Sequence, residues 1–156
     1  MKLRETTVDD VDPMVELVMA MLREMAAYGG RSLNGEACVI YRLRERFLDS
    51  LEKDDHVYLF ALAEGREKPV GIVEASVVSP PKVFRPASVL HVHALYVEPS
   101  LRGEGIGRRL LEEALTWGRE RGCTEGTLSV LAGNPARELY ERVGFEVFEL
   151  EMRLEW

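Results

Sequence analysis

Val89-Leu90-His91-Val92-His93-Ala94-Leu95-Tyr96-Val97, then Glu98-Pro99-Ser100-Leu101, then Arg102-Gly103-Glu104-Gly105-Ile106-Gly107-Arg108 is the stretch on which the fold turns. Residues 88–97 are rich in β-branched and aromatic side chains and predict a strand, which Pro99 stops. Over 105–121, Ile106, Leu110, Leu111, Ala114, Leu115 and Trp117 recur at helical spacing, and Gly122 ends the helix. The glycines between strand and helix let the backbone come close to a ligand, so successive N–H groups can point at one anion at the positive end of the helix dipole. That is a phosphate cradle; the alternative is a glycine-rich turn that binds nothing. Gly107-Arg108-Arg109 lacks the Lys-Ser/Thr ending of a P-loop, and Gly103, Gly105, Gly107 do not match GxGxxG, so nucleoside triphosphates and dinucleotides fit badly.

Working outward, residues 127–131 predict another strand, so 90–131 forms a strand-helix-strand unit whose strands run parallel and adjoin the ligand site. Asn134-Pro135 then opens a short helix with Leu139 and Tyr140, and a last strand is expected over 145–154. Towards the N-terminus, 56–64 and 70–78 read as a β-hairpin around Gly65. Val39, Leu43, Phe47, Leu48 and Leu51 mark a helix, with Arg42, Arg44 and Arg46 read as its solvated face. Val11, Met14, Val15, Val18, Met21, Leu22 and Met25 mark an earlier helix, which ends at Gly29-Gly30 and follows a first strand over 2–6. The order β-α-α-β-β-β-α-β-α-β predicts an α/β fold with a mixed sheet of six or seven strands and about four helices.

At 156 residues and 46% hydrophobic, the chain suits a single domain over 1–156. A net charge of -7 disfavours nucleic acid and anionic membrane as partners. Asp9, Asp10, Asp12 and Glu16 are unlike a secretory signal, and no apolar run approaches a membrane span, which points to the cytoplasm. Cys38 and Cys123 have no metal-type or disulfide spacing and read as reduced thiols; two histidines alone do not make a metal site, and none is expected.

Leu95-Tyr96-Val97 before Pro99, followed by Arg102-Gly103-x-Gly105-x-Gly107, resembles the R-x-x-G-x-G/A coenzyme A motif of the GNAT superfamily of N-acetyltransferases. Asn134, Ala136, Leu139-Tyr140 and Gly144-Phe145 resemble that family's downstream N-x-x-A-x-x-L-Y-x-x-x-G-F segment. The resemblance implies a splayed coenzyme A cleft and acetyl-coenzyme A as cosubstrate. Amides from Arg102 through Gly103, Gly105, Ile106 and Gly107 to Arg108 would bind the pyrophosphate, with Asn134, Ala136 and Tyr140 beside the coenzyme. The backbone of Leu95 and Val97 would pair with the pantetheine arm, and a bulge within 89–97 would open the cleft. Tyr140 would protonate the leaving thiolate as general acid, its plain alternative being a core tyrosine beside Phe145.

An amine acceptor must also lose a proton. His93 stands near the position where several family members carry a glutamate, and His91, two residues away, shares its face. Both suit base work at neutral pH, and a hydrogen-bonded sheet histidine is the alternative. Glu74, Tyr28 and Glu36 are further candidates. The resulting expectation is N-acetylation of a small-molecule or peptide amine by direct transfer in a ternary complex, with a noncatalytic acyl-coenzyme A sensor or interaction module as the rival. The loop 28–34 and the segment 80–86 are candidate walls of the acceptor pocket. The last strand is a candidate edge for a homodimer.

Overall fold

The computed structural model describes residues 1–80, 88–154 and 156. Its elements are β1 (Lys2–Glu5), α1 (Val11–Met25), α2 (Glu36–Leu51), β2 (His56–Leu62), β3 (Gly71–Val78), β4 (Val89–Val97), α3 (Ile106–Glu120), β5 (Glu125–Leu128) and α4 (Arg137–Val143). One mixed sheet has the order β1-β2-β3-β4-β5, antiparallel as far as β4 and parallel between β4 and β5. Among the described residues no helix is long and apolar enough to cross a membrane.

Strand alternation divides the core in two. Val57, Leu59 and Ala61 of β2 and Val73 and Ala75 of β3 join Leu110, Leu111, Ala114 and Trp117 of α3, while Tyr58, Phe60 and Ile72 face Met14, Val18 and Phe47 of α1 and α2. Each buried Val, Leu, Ile, Phe or Met among them contributes about 1.5–3 kcal/mol. α3 lies so close to the sheet that a Cβ at Gly118 would stand 3.0 Å from Leu90.

In β4 the alternation changes phase. Leu90 and Val92 face α3, but so do Leu95 and Val97, whereas Tyr96 faces α1. The register explains it: Ala75 pairs with Val92 and Glu74 with Ala94, so His93 is the extra residue of a β-bulge.

Five strands form among the described residues, not six or seven. The run 145–154 contains no strand, although Phe148, Leu150, Met152 and Leu154 alternate with polar residues. Those side chains point into water, with Phe148 90% and Met152 93% exposed. A period of two states which face a strand would bury, but the ladder needs a neighbour. β5 also stands two to three residues earlier than 127–131, because its register ends at Val92↔Leu128, where the bulge begins. Arg46 departs from the expected solvated arginine face and pairs with the fully buried Glu74 of β3, which also accepts a long 3.4 Å hydrogen bond from the Tyr58 hydroxyl. Burial, then the charge of Glu74, pushes the Tyr58 phenol up to about 12.

Candidate active site

The split between β4 and β5 is the centre of the site. β4 runs on from Ala94 to Val97 paired with β3, and among the described residues its other edge has no strand. Glu98 N–H donates to Val70 O, and a Cβ at Gly71 would meet Tyr96 O at 2.9 Å, so Tyr96 and Glu98 direct their backbone groups to β3. Alternation then turns the backbone groups of Leu95 and Val97 outward into the split. The carbonyl of Val97 accepts Arg102 Nε at 2.9 Å; its N–H and both groups of Leu95 face the open edge.

At the end of that edge the N–H groups of residues 103–108 form an unbroken row without an acceptor among the described residues; Arg109 is the first to bond back, to Gly105 O. Gly103 and Gly105 lie at φ +88° and +81°, a region that disfavours a residue with a Cβ. A Cβ at Gly105 would meet no atom of the described residues within 4 Å beyond its chain neighbours. The expected donor row loses one member: Arg102 N–H is bonded to Pro99 O at 3.3 Å. Its side chain, too, is occupied, as Arg102 Nη1 and Nη2 donate to Glu24 at 2.6 and 2.7 Å.

α4 leans against this turn, for Leu139 would lie 3.4 Å from a Cβ at Gly107 and Val97 3.6 Å. Asn134 Oδ1 accepts the N–H of Ala136 at 2.9 Å, so these two residues are committed to starting α4, which opens at Arg137 rather than at Pro135. Tyr140 is half-buried, edge-on to Phe145 at 6.2 Å, and its hydroxyl has no partner among the described residues. Burial raises the phenol above its usual 10, so it holds its proton at neutral pH.

His91 and His93 come together as expected, their rings 4.7 Å apart. His93 Nε2 shares a 2.7 Å hydrogen bond with Ser76, and His91 Nδ1 one of 2.9 Å with Thr127 across the last rungs of the β4–β5 ladder. His93 is exposed at its rim yet crowded by the sheet. That desolvation pushes its pKa below 6.5; Glu74 opposes the shift, and His91, Arg46 and His56 reinforce it. It is therefore neutral, with a lone pair, near pH 7. The other base candidates are engaged: Glu74 with Arg46, Tyr28 with Glu24 at 2.8 Å, and the exposed Glu36 with Arg23. The loop after α1 closes one side of the split, since a Cβ at Gly30 would stand 3.3 Å from Leu131 and one at Gly133 3.6 Å from Tyr28 O. Of the second expected wall, 80–86, residues 81–86 lie outside the described residues.

Glu24, Ser76 and Thr127 escaped the sequence reading. Each meets its partner across strands or helices, Glu24 at a separation of 78 residues, and no local pattern marks such a contact.

The profile of the Acetyltransferase (GNAT) family matches residues 19–145. An uncharacterized N-acetyltransferase of Methanocaldococcus jannaschii is 29% identical over 149 residues, which are 95% of this chain and 62% of that protein. A glucosamine 6-phosphate N-acetyltransferase of Trypanosoma brucei brucei is 33% identical over 82 residues, 52% of this chain and 54% of that protein. The matched regions thus span between half and two thirds of these relatives' own length. A predicted acetyltransferase of Clostridium acetobutylicum, solved with acetyl-CoA, shares the fold with a TM-score of 0.79 at 18% identity, over 99% of this chain and 95% of that one.

Proposed function

The chain belongs to the Acetyltransferase (GNAT) family, and from that premise we propose that it moves an acetyl group from acetyl-coenzyme A to the amine of a small molecule or peptide, by direct transfer in a ternary complex in the cytoplasm. The observation that carries this reading is the row of acceptor-free N–H groups at 103–108 beside the open β4 edge. The row offers a diphosphate several charge-assisted hydrogen bonds. Both backbone groups of Leu95 and the Val97 N–H offer an amide-bearing arm a ladder, which suits coenzyme A.

In the proposed reaction His93, or His91 beside it, takes a proton from the acceptor ammonium directly or through water. The freed nitrogen lone pair attacks the thioester carbonyl. A backbone N–H near Val97 donates to the developing oxyanion, and collapse forms the amide as the carbon–sulfur bond breaks, the nitrogen's second proton leaving through water and restoring the Tyr140 phenol once that has protonated the sulfur. Tyr140 donates to the departing sulfur. A phenol above 10 is a weaker acid than a free thiol near ~8.5, so full transfer depends on the same desolvation raising the thiolate as well.

An amine panel scored by thiol release from acetyl-coenzyme A tests the reading; no release with any amine, despite coenzyme binding, would leave the sensor alternative. For the base, kcat/KM should rise with pH through a value below 6.5 and His93→Ala should erase that limb, since only the neutral ring accepts a proton. An unchanged profile would move the role elsewhere. We also propose a homodimer joined through the C-terminal segment, where Phe148, Leu150, Met152, Leu154 and Trp156 expose apolar side chains. Deleting 146–156 should leave a monomer by light scattering.

A further inference from the structure

One carboxylate joins the phosphate turn to the loop that closes the split. Glu24, in the last turn of α1, accepts both terminal nitrogens of Arg102 at 2.6 and 2.7 Å and the hydroxyl of Tyr28 at 2.8 Å. Those bonds, Arg102 first, hold its carboxyl below the usual range, so it is ionised at neutral pH. Arg102 in turn donates Nε to Val97 O and lies 5.4 Å over the Tyr96 ring. Residue 102 immediately precedes the acceptor-free row, and Tyr28 begins the segment that reaches Leu131 and Gly133 on the far side of the split.

We infer that Glu24 is a positioning residue that couples the coenzyme cradle to the acceptor-side loop, so that filling the cradle orders residues 28–30. This rests on the proposed coenzyme site. The guanidinium fork is planar and meets the carboxylate in two parallel bonds, so the turn and the end of α1 share one orientation instead of sliding past each other. An ammonium at 102 would act as a point charge and lose that register. When the row 103–108 is fixed by a diphosphate, Arg102 is fixed with it, and Glu24 passes the restriction to the Tyr28 hydroxyl. The coupling runs both ways, since a loop held by Glu24 lowers the ordering needed to bind at the turn.

Hydrogen–deuterium exchange of the full chain, with and without acetyl-coenzyme A, tests this. In the wild type the ligand should slow exchange in peptides covering 103–108 and also in those covering 26–34. In Glu24→Gln and Tyr28→Phe the first protection should persist and the second should fall away. Tyr28→Phe removes one hydroxyl and serves if Glu24→Gln does not fold. Acetyl-coenzyme A affinity should weaken about two- to fivefold in Glu24→Gln, the range for a partly exposed paired charge. Tighter binding by Glu24→Gln would overturn the inference, because it would make Arg102 a phosphate ligand that Glu24 withholds. Equal protection of 26–34 in wild type and both variants would overturn it as well. Absence of protection at 103–108 in the wild type would instead refute the coenzyme site.

Discussion

Replacing Gly105 with valine separates the turn's shape from its packing. At φ +81° a residue with a Cβ costs about 1–2 kcal/mol, and a β-branched one more, yet the added Cβ would have no neighbour within 4 Å among the described residues. For 156 residues the unfolding entropy is about 0.3 kcal/mol per degree, so the variant should melt about 3–6 °C lower or slightly more. Coenzyme binding should suffer far more. Redirecting even two charge-assisted N–H bonds, at about 1.5 kcal/mol each, weakens affinity more than a hundredfold. Acetyl-coenzyme A at a hundred times its dissociation constant should stabilise the wild type by about 2.7 kcal/mol, or about 8 °C; for the variant at the same concentration the shift should shrink to about 1 °C. Thermal melts with and without ligand, backed by calorimetry, read both quantities. A folded Gly105→Val protein that binds acetyl-coenzyme A undiminished would refute the cradle.

Tyr140→Phe keeps the ring against Phe145 and removes only the hydroxyl, so kcat should drop roughly 10²–10⁴-fold with little change in coenzyme affinity; near-wild-type kcat where chemistry limits turnover would return Tyr140 to the core. Arg46→Ala leaves the Glu74 carboxylate buried without its cation, and because Arg46 is itself half exposed the low end of the usual loss applies, about 3 kcal/mol or about 9 °C in Tm; a change under 2 °C would show that the pair is dispensable. Asp10, hydrogen-bonded to Arg4, is lowered to about 2 from 3.8, so its contribution of about 2 kcal/mol is complete above pH ~4 and lost as pH falls towards 2. Asp10→Asn should lose it already at pH 7 and flatten that acid limb in urea titrations.

Much of the site was legible in the linear chain because its chemistry is local. The proposed phosphate turn is a run of consecutive backbone N–H groups, and only glycine reaches φ +88° and +81° cheaply, so residues 103–108 carried it in their own order. The pairing of His91 with His93 followed from the two-residue period of a strand. Three helices were legible through periodicity, which records the face each element buries, and the last helix and the first hairpin through the Asn134-Pro135 start and the Gly65 turn. The bulge at His93 was not, for it is a mismatch between β3 and β4 and exists only when both are aligned. Nor was the last strand's failure to pair, the capture of Arg46 by Glu74, or the clasp of Glu24 on Arg102. A side chain's character is written at its own position. Its partner is chosen by the packing of distant segments, and that is settled only when the chain has folded.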